Sequence, residues 1–189
     1  QTNWIGKSRG ANVWWPIAMA LSSYLGVEPD EGVEMIRSLA ASKAGKLGLP
    51  QQDIDTMVEV FVHLLGRPSA IDRLEPTAAR NAVHAAVTSV LMQRSNGRPI
   101  IIVIDDLHWA DPMLLDLLEH CVRALSRHPF ALITAMRTGH DVAWPPSTDR
   151  TTVASLNLQP LGRQATDEVA CALLDEEPDQ ALLDALHVR

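Results

Sequence analysis

Cysteine is nearly absent: the 189 residues hold two, Cys121 and Cys171. Neither has a second Cys or a His at metal-ligand spacing, which argues against a disulfide framework or a cysteine metal site. Both sit in apolar, helix-period contexts and are expected to be buried, reduced thiols, as in a cytoplasmic protein. No apolar run approaches the length of a membrane span, and no signal peptide is visible, so no membrane partner is expected. No internal repeat or low-complexity segment is found. Positive charge is not in excess either. The formal net charge is -7, which argues against a general nucleic-acid surface while leaving room for a local basic patch. The chain does not start with Met, and Leu186-His187-Val188-Arg189 carries no stop feature. It is therefore expected to be a piece of something longer.

What is present is an ordinary globular composition, 47% hydrophobic and 21% charged, on a length suited to one domain with a sizeable core. Its centre is residues 99–112, Pro-Ile-Ile-Ile-Val-Ile-Asp-Asp-Leu-His-Trp-Ala-Asp-Pro. Residues 100–104 form an unbroken, mostly β-branched run that suits a strand buried on both faces, as in a parallel sheet. The run ends in two adjacent acids, Asp105 and Asp106. Open α/β sheets bind ligands just beyond the carboxyl ends of their strands, where acids can face a metal ion and a phosphate chain. Acids there also occur without function, because Asp favours turns and helix caps.

The longer string carries more. Ile-Asp-Asp-Leu-His-Trp-Ala-Asp-Pro closely resembles the Walker B signature of STAND-type AAA ATPase modules, found in bacterial LuxR-type regulators and multidomain adenylate or guanylate cyclases. The resemblance runs from about Trp14 to the end and is strongest over residues 98–112. It implies an α/β, three-layer, P-loop NTPase-like parallel sheet, incomplete at both ends. It also implies ATP and Mg²⁺ as cofactors. Asp105 would hold the metal, Asp106 would polarise the attacking water, and Arg137, closing the next strand, would sense the γ-phosphate. Asp111 reads as a helix N-cap rather than a catalytic group. His108 and Trp109 read as holding the loop.

The first ten residues admit two readings. Ile5-Gly6-Lys7-Ser8-Arg9 looks like the tail of a P-loop, in which backbone N–H groups wrap phosphate while Lys7 and Ser8 reach phosphate and Mg²⁺. Against that, Gln1 stands in place of the first Gly, Trp4 in place of a small residue, and Trp14-Trp15-Pro16 interrupts the helix that should follow. The other reading makes residues 6–17 a second strand region, similar to a segment that related modules carry well after their P-loop. This fits the spacing better and puts the true P-loop upstream.

The rest alternates in α/β grammar. Helices are predicted over 16–25, 31–46, 53–65, 75–94 and from Asp111-Pro112 onward, with strands over 99–104, 130–136 and 152–158. Trp14, Trp15 and Trp144 read as packing residues, and His63 as an ordinary helix residue. Short helices over 163–174 and 178–186 would begin a lid, dividing the chain into a nucleotide domain (1–162) and a partial lid (163–189). The expected function is an ATP-dependent switch whose output domains lie elsewhere in the parent chain, with possible homo-oligomers and no direct nucleic-acid contact. Two alternatives compete: a non-hydrolysing scaffold without a working P-loop, and an initiator-like DNA-remodelling domain, which the acidic charge disfavours.

Overall fold

The computed structural model describes residues 13–28, 31–137, 139, 144, 151–174 and 178–186. Gly6, Lys7 and Ser8, and with them both readings of the first ten residues, lie outside the described residues. So does the side chain of Trp15. The chain divides into two compact units, residues 1–151 and 152–189.

In the first unit four helices precede the sheet: α1 (Trp15–Leu25), α2 (Val33–Ala44), α3 (Gln51–Leu64) and α4 (Pro76–Ser95). Their ends follow local chemistry. Pro lies in the first turn of α1 and of α4, where its missing N–H costs nothing. Gly26 ends α1 in the left-handed region at φ 74° and donates its N–H to Ser22 O at 2.8 Å. α3 is the hub of the core. It buries Met57, Val60, Phe61, Val62 and Leu64, packed with Ile36 and Ala40 of α2 and Val83 of α4. Trp14 is buried in the same cluster, in agreement with its reading as a packing residue.

Strand β1 (Ile100–Ile104) follows, then a single 3-10 turn (Leu107–Trp109), helix α5 (Pro112–Ala124) and strand β2 (Phe130–Thr134). The two strands pair in parallel, with Ile100 opposite Phe130 and Ile104 opposite Thr134. This is the expected βαβ unit with α5 as its crossover. The strand starts are tied together as well. Ile100 N–H donates to Pro129 O at 2.9 Å, and Ser95 Oγ lies 2.7 Å from His128 Nδ1.

Three expectations need correction. Neither strand is buried on both faces. Burial alternates, leaving Ile101 63%, Val103 67% and Ile133 54% exposed, while Ile104, Phe130 and Leu132 pack against the helices. The described elements of the first unit thus form two layers, helices on one face of the sheet, because none of them covers the other. No strand forms over residues 152–158. Residues 151–162 carry no regular structure, and Leu156 and Leu158 are 84% and 79% exposed. Alternation alone does not make a strand without a neighbouring ladder to join. Cys171 is exposed, whereas Cys121 is buried as expected. The apolar stripe of α6 (Arg163–Leu173) buries only Ala170, so position on that stripe does not bring burial. Burial pushes the Cys121 thiol up to about 12, which keeps it protonated.

The second unit contains α6 and α7 (Gln180–Leu186), joined by an Arg163–Asp184 ion pair. Among the described residues no helix is long and apolar enough to cross a membrane.

Candidate functional site

The site begins where β1 stops. Asp105 continues the exposed face of Ile101 and Val103, and its Oδ1 accepts the Asp106 N–H at 2.8 Å. Asp106 takes φ 52° and ψ 38° and is the one described non-glycine residue at positive φ. Asp tolerates this left-handed geometry better than most residues, and such backbone is concentrated at functional sites. The reversal drives Leu107 inward to 1% exposure, where it packs with Leu114 and Leu118 of α5 and with Ile104, Leu132 and Trp144. The small cluster is the floor of the site.

Beside it, the tail of β2 is stitched to the same loop. Ala135 N–H donates to Ile104 O, and Leu107 N–H donates to Ala135 O, both at 2.9 Å. The parallel register therefore brings Arg137, three residues beyond β2, to the same end of the sheet as Asp105 and Asp106. Trp144 Nε1 donates to Thr134 Oγ1 at 3.1 Å, and Trp144 packs against the Leu107 cluster, in agreement with its reading as a packing residue. Asp111 caps α5 by accepting the Met113 N–H at 2.8 Å, which accounts for that acid structurally. His63 Nδ1 lies 2.7 Å from Asp72 Oδ1, a structural contact.

His108 spans the loop. Its side chain is fully buried; Nδ1 accepts the Arg137 N–H at 3.5 Å, and Nε2 lies 3.8 Å from Asp106 Oδ1. Its ring tilts against Trp109, 5.0 Å between centroids. His108 holds the loop, as its place in the sequence suggests, but its link to Arg137 is not legible there, because that contact runs to a backbone amide beyond the end of the neighbouring strand.

A second polar cluster lies away from the strand ends, between α4 and α5. Both Nε and Nη2 of Arg80 donate to the Asp116 carboxylate. Buried His84 brings Nε2 to 3.1 Å from Asp116 Oδ2 and stacks on His120. Burial holds the His84 pKa below its ordinary value, opposed by Asp116, and the Arg80 hydrogen bonds hold the Asp116 pKa below the usual carboxylate range. The four-residue spacings 80/84 and 116/120 were a legible signal for this cluster. Among the described residues no group of three or more His, Cys, Asp or Glu side chains is arranged to hold a metal ion. A lone exposed carboxylate such as Asp105 suits a hydrated Mg²⁺ instead, which keeps most of its waters and takes further oxygens from phosphate.

The AAA ATPase domain family model matches residues 29–133. The chain belongs to the AAA ATPase domain family. The match includes Asp105 and Asp106 and stops before Arg137, so the acids lie within the family's stretch and the arginine does not. Membership implies the P-loop NTPase fold, of which the parallel β1–β2 pair with helical crossover is a part, and it supports nucleotide binding with ATP and Mg²⁺ as the usual ligands. An uncharacterised protein of Rhizobium meliloti (strain 1021) is 30% identical over 130 residues, 67% of this chain. The chain spans 12% of that relative's length. No solved structure matches the chain.

Proposed function

We propose that this AAA ATPase domain is the nucleotide-sensing part of an ATP-dependent regulatory switch of the STAND type, in a larger cytoplasmic transcriptional regulator or nucleotide cyclase. One observation supports this above the others: two acids and an arginine at the carboxyl ends of two adjacent parallel strands. Asp105 opposes the hydrated Mg²⁺, Asp106 orients and deprotonates the attacking water, and Arg137 reads the γ-phosphate. Residues 1–162 are the nucleotide domain and 163–189 the beginning of a lid. In the full-length protein a third layer would cover Ile101, Val103 and Ile133, the apolar face left open by the described elements of the first unit. The reading requires a P-loop, for which Gly6, Lys7 and Ser8 are one candidate and an upstream segment the other. The departures at Gln1 and Trp4 favour a second reading, a non-hydrolysing scaffold that keeps the sheet.

Substitution of the acids in the full-length protein separates the two. Asp105→Asn weakens Mg²⁺-ATP binding because it removes the charge facing the metal. Asp106→Asn spares binding and slows hydrolysis about 10²–10⁴-fold, the usual contribution of a positioned base. Affinity, hydrolysis rate and melting temperature are measured for each. If binding and turnover both decline in step with melting temperature, the acids are a strand terminus and the switch reading fails.

A further inference from the structure

His108 poses a chemical question. A fully buried side chain between Leu107 and the exposed Trp109 could be leucine or methionine at lower desolvation cost. What imidazole adds is two nitrogens pointing in different directions. Here they point at the two strand ends that carry the site, Nδ1 at the Arg137 amide and Nε2 at the Asp106 carboxylate.

The tautomer follows from those partners. In neutral imidazole one nitrogen accepts and the other donates, and the bond made by one fixes the role of the other. Nδ1 accepts from Arg137 N–H, so Nε2 carries the proton and faces a carboxylate oxygen that can take it as a hydrogen bond. The ring therefore has the correct polarity at both ends. Both separations, 3.5 and 3.8 Å, are long, and catalytic hydrogen bonds commonly tighten only when substrate is bound. Asp106 sits on the left-handed turn, and the Trp109 ring restrains the imidazole plane.

We infer that His108 is a positioning residue that couples the strand end bearing Arg137 to the carboxylate of Asp106, so that engagement of the γ-phosphate by Arg137 sets the orientation of the acid that aligns water. This rests on the switch reading of the site. A shift of the Arg137 backbone towards phosphate moves the N–H donor that faces Nδ1, turns or translates the ring, and changes the Nε2 approach to Asp106. The acid is brought into line only when the sensor strand end has moved. His108 touches neither nucleotide nor water in this scheme. It acts through Asp106.

The test uses the full-length protein with His108→Leu, which keeps the volume and removes both nitrogens, and His108→Asn, which restores an acceptor near the Nδ1 position. Mg²⁺-ATP affinity, kcat, melting temperature and amide exchange of Arg137 in the nucleotide-free protein are measured. His108→Leu is expected to lower kcat about 10- to 100-fold while affinity changes by less than about 3-fold, the pattern of a mispositioned group. It should also speed exchange of the Arg137 amide, and His108→Asn should recover part of both. Unchanged kcat overturns the coupling. So does a parallel fall of kcat, affinity and melting temperature without recovery by Asn, which marks a purely structural residue. A wild-type protein that does not bind Mg²⁺-ATP overturns the switch reading itself, and the coupling with it. The exchange measurement reports separately whether the Arg137 contact exists.

Discussion

Two groups of charged side chains belong to helix α5, one at its middle and one in the loop that leads into it. At the middle, the Asp116 carboxylate accepts both donors of Arg80, lies 3.1 Å from His84, and has His120 stacked on that histidine. Leu117 and Cys121 beside it are buried, and Val83 faces them from α4. In the loop, Asp105 accepts one N–H from its own neighbour, and Asp106 meets a histidine at 3.8 Å. Each place has a buried histidine beside an aspartate. In the first, the charges satisfy each other and fasten two helices. In the second, they lie at an open strand end with little local compensation. A buried histidine beside an aspartate is therefore not in itself a functional signal; its position relative to the carboxyl ends of the strands is.

The comparison breaks most severely at Leu117, which is fully buried at the α4–α5 seam. Leu117→Ala is expected to destabilise the protein by about 2–5 kcal/mol, the cost of lost burial plus a cavity. The effect should appear in chemical denaturation as a lower midpoint with unchanged slope. A loss below about 1 kcal/mol would mean that the seam is loosely packed and that its ion pairs, not its apolar residues, hold it.

Acid sharpens the same contrast. The His84 pKa is held down by burial, so the unfolded chain binds a proton there more readily than the folded one. The Asp116 pKa is held down by Arg80, with the same consequence at lower pH. The sign is the same for both: stability is present at neutral pH and falls on acidification. Loss at His84 begins near the ordinary histidine value of about 6.5 and continues down to its lowered folded value. Loss at Asp116 follows below the ordinary carboxylate value of about 3.9. Denaturation midpoints measured from pH 7.5 to 5 should decline, and His84→Gln should flatten that decline. An equal slope in the variant would mean that the seam histidine is not the group responsible.

Much of this arrangement was legible in the sequence where the signal is local. The stripe over α3, the Asp111-Pro112 helix start and the two apolar runs around α5 each declare their structure within a few residues, and the fold follows them closely. The acids Asp105 and Asp106 were found because a strand must end before they begin. What was illegible depends on distant partners. The run at residues 100–104 looks buried on both faces because every residue in it is apolar, yet burial requires a second layer, and a strand's own sequence does not report one. The stretch 152–158 alternates like a strand but has no ladder to join. Cys171 occupies a stripe position on a helix whose own unit buries little else. His108 could be seen as a loop residue, but its reach to Arg137 depends on the parallel register of β1 and β2.

The smallest expected effect is the most informative about the sheet. Ile101 is 63% exposed on the face that also carries Asp105. Ile101→Thr keeps the β-branched shape and strand propensity, so it changes little besides apolar area. In the 189-residue chain the substitution is expected to shift stability by no more than about 0.5 kcal/mol, as for other surface positions. In the full-length protein the third layer of the proposed three-layer fold would cover this face, and the same substitution would remove buried apolar surface and place a hydroxyl against it. The cost should then rise to about 1–3 kcal/mol. Measuring the denaturation midpoint of both proteins, with and without the substitution, separates the cases. A large loss in the 189-residue chain would show that the face is already covered and that the two-layer description is wrong. A negligible loss in both would leave the face bare in the full-length protein as well, and the three-layer expectation would fail. Only a small loss in the chain with a large loss in the full-length protein fits a strand whose composition is explained by a layer outside the described residues.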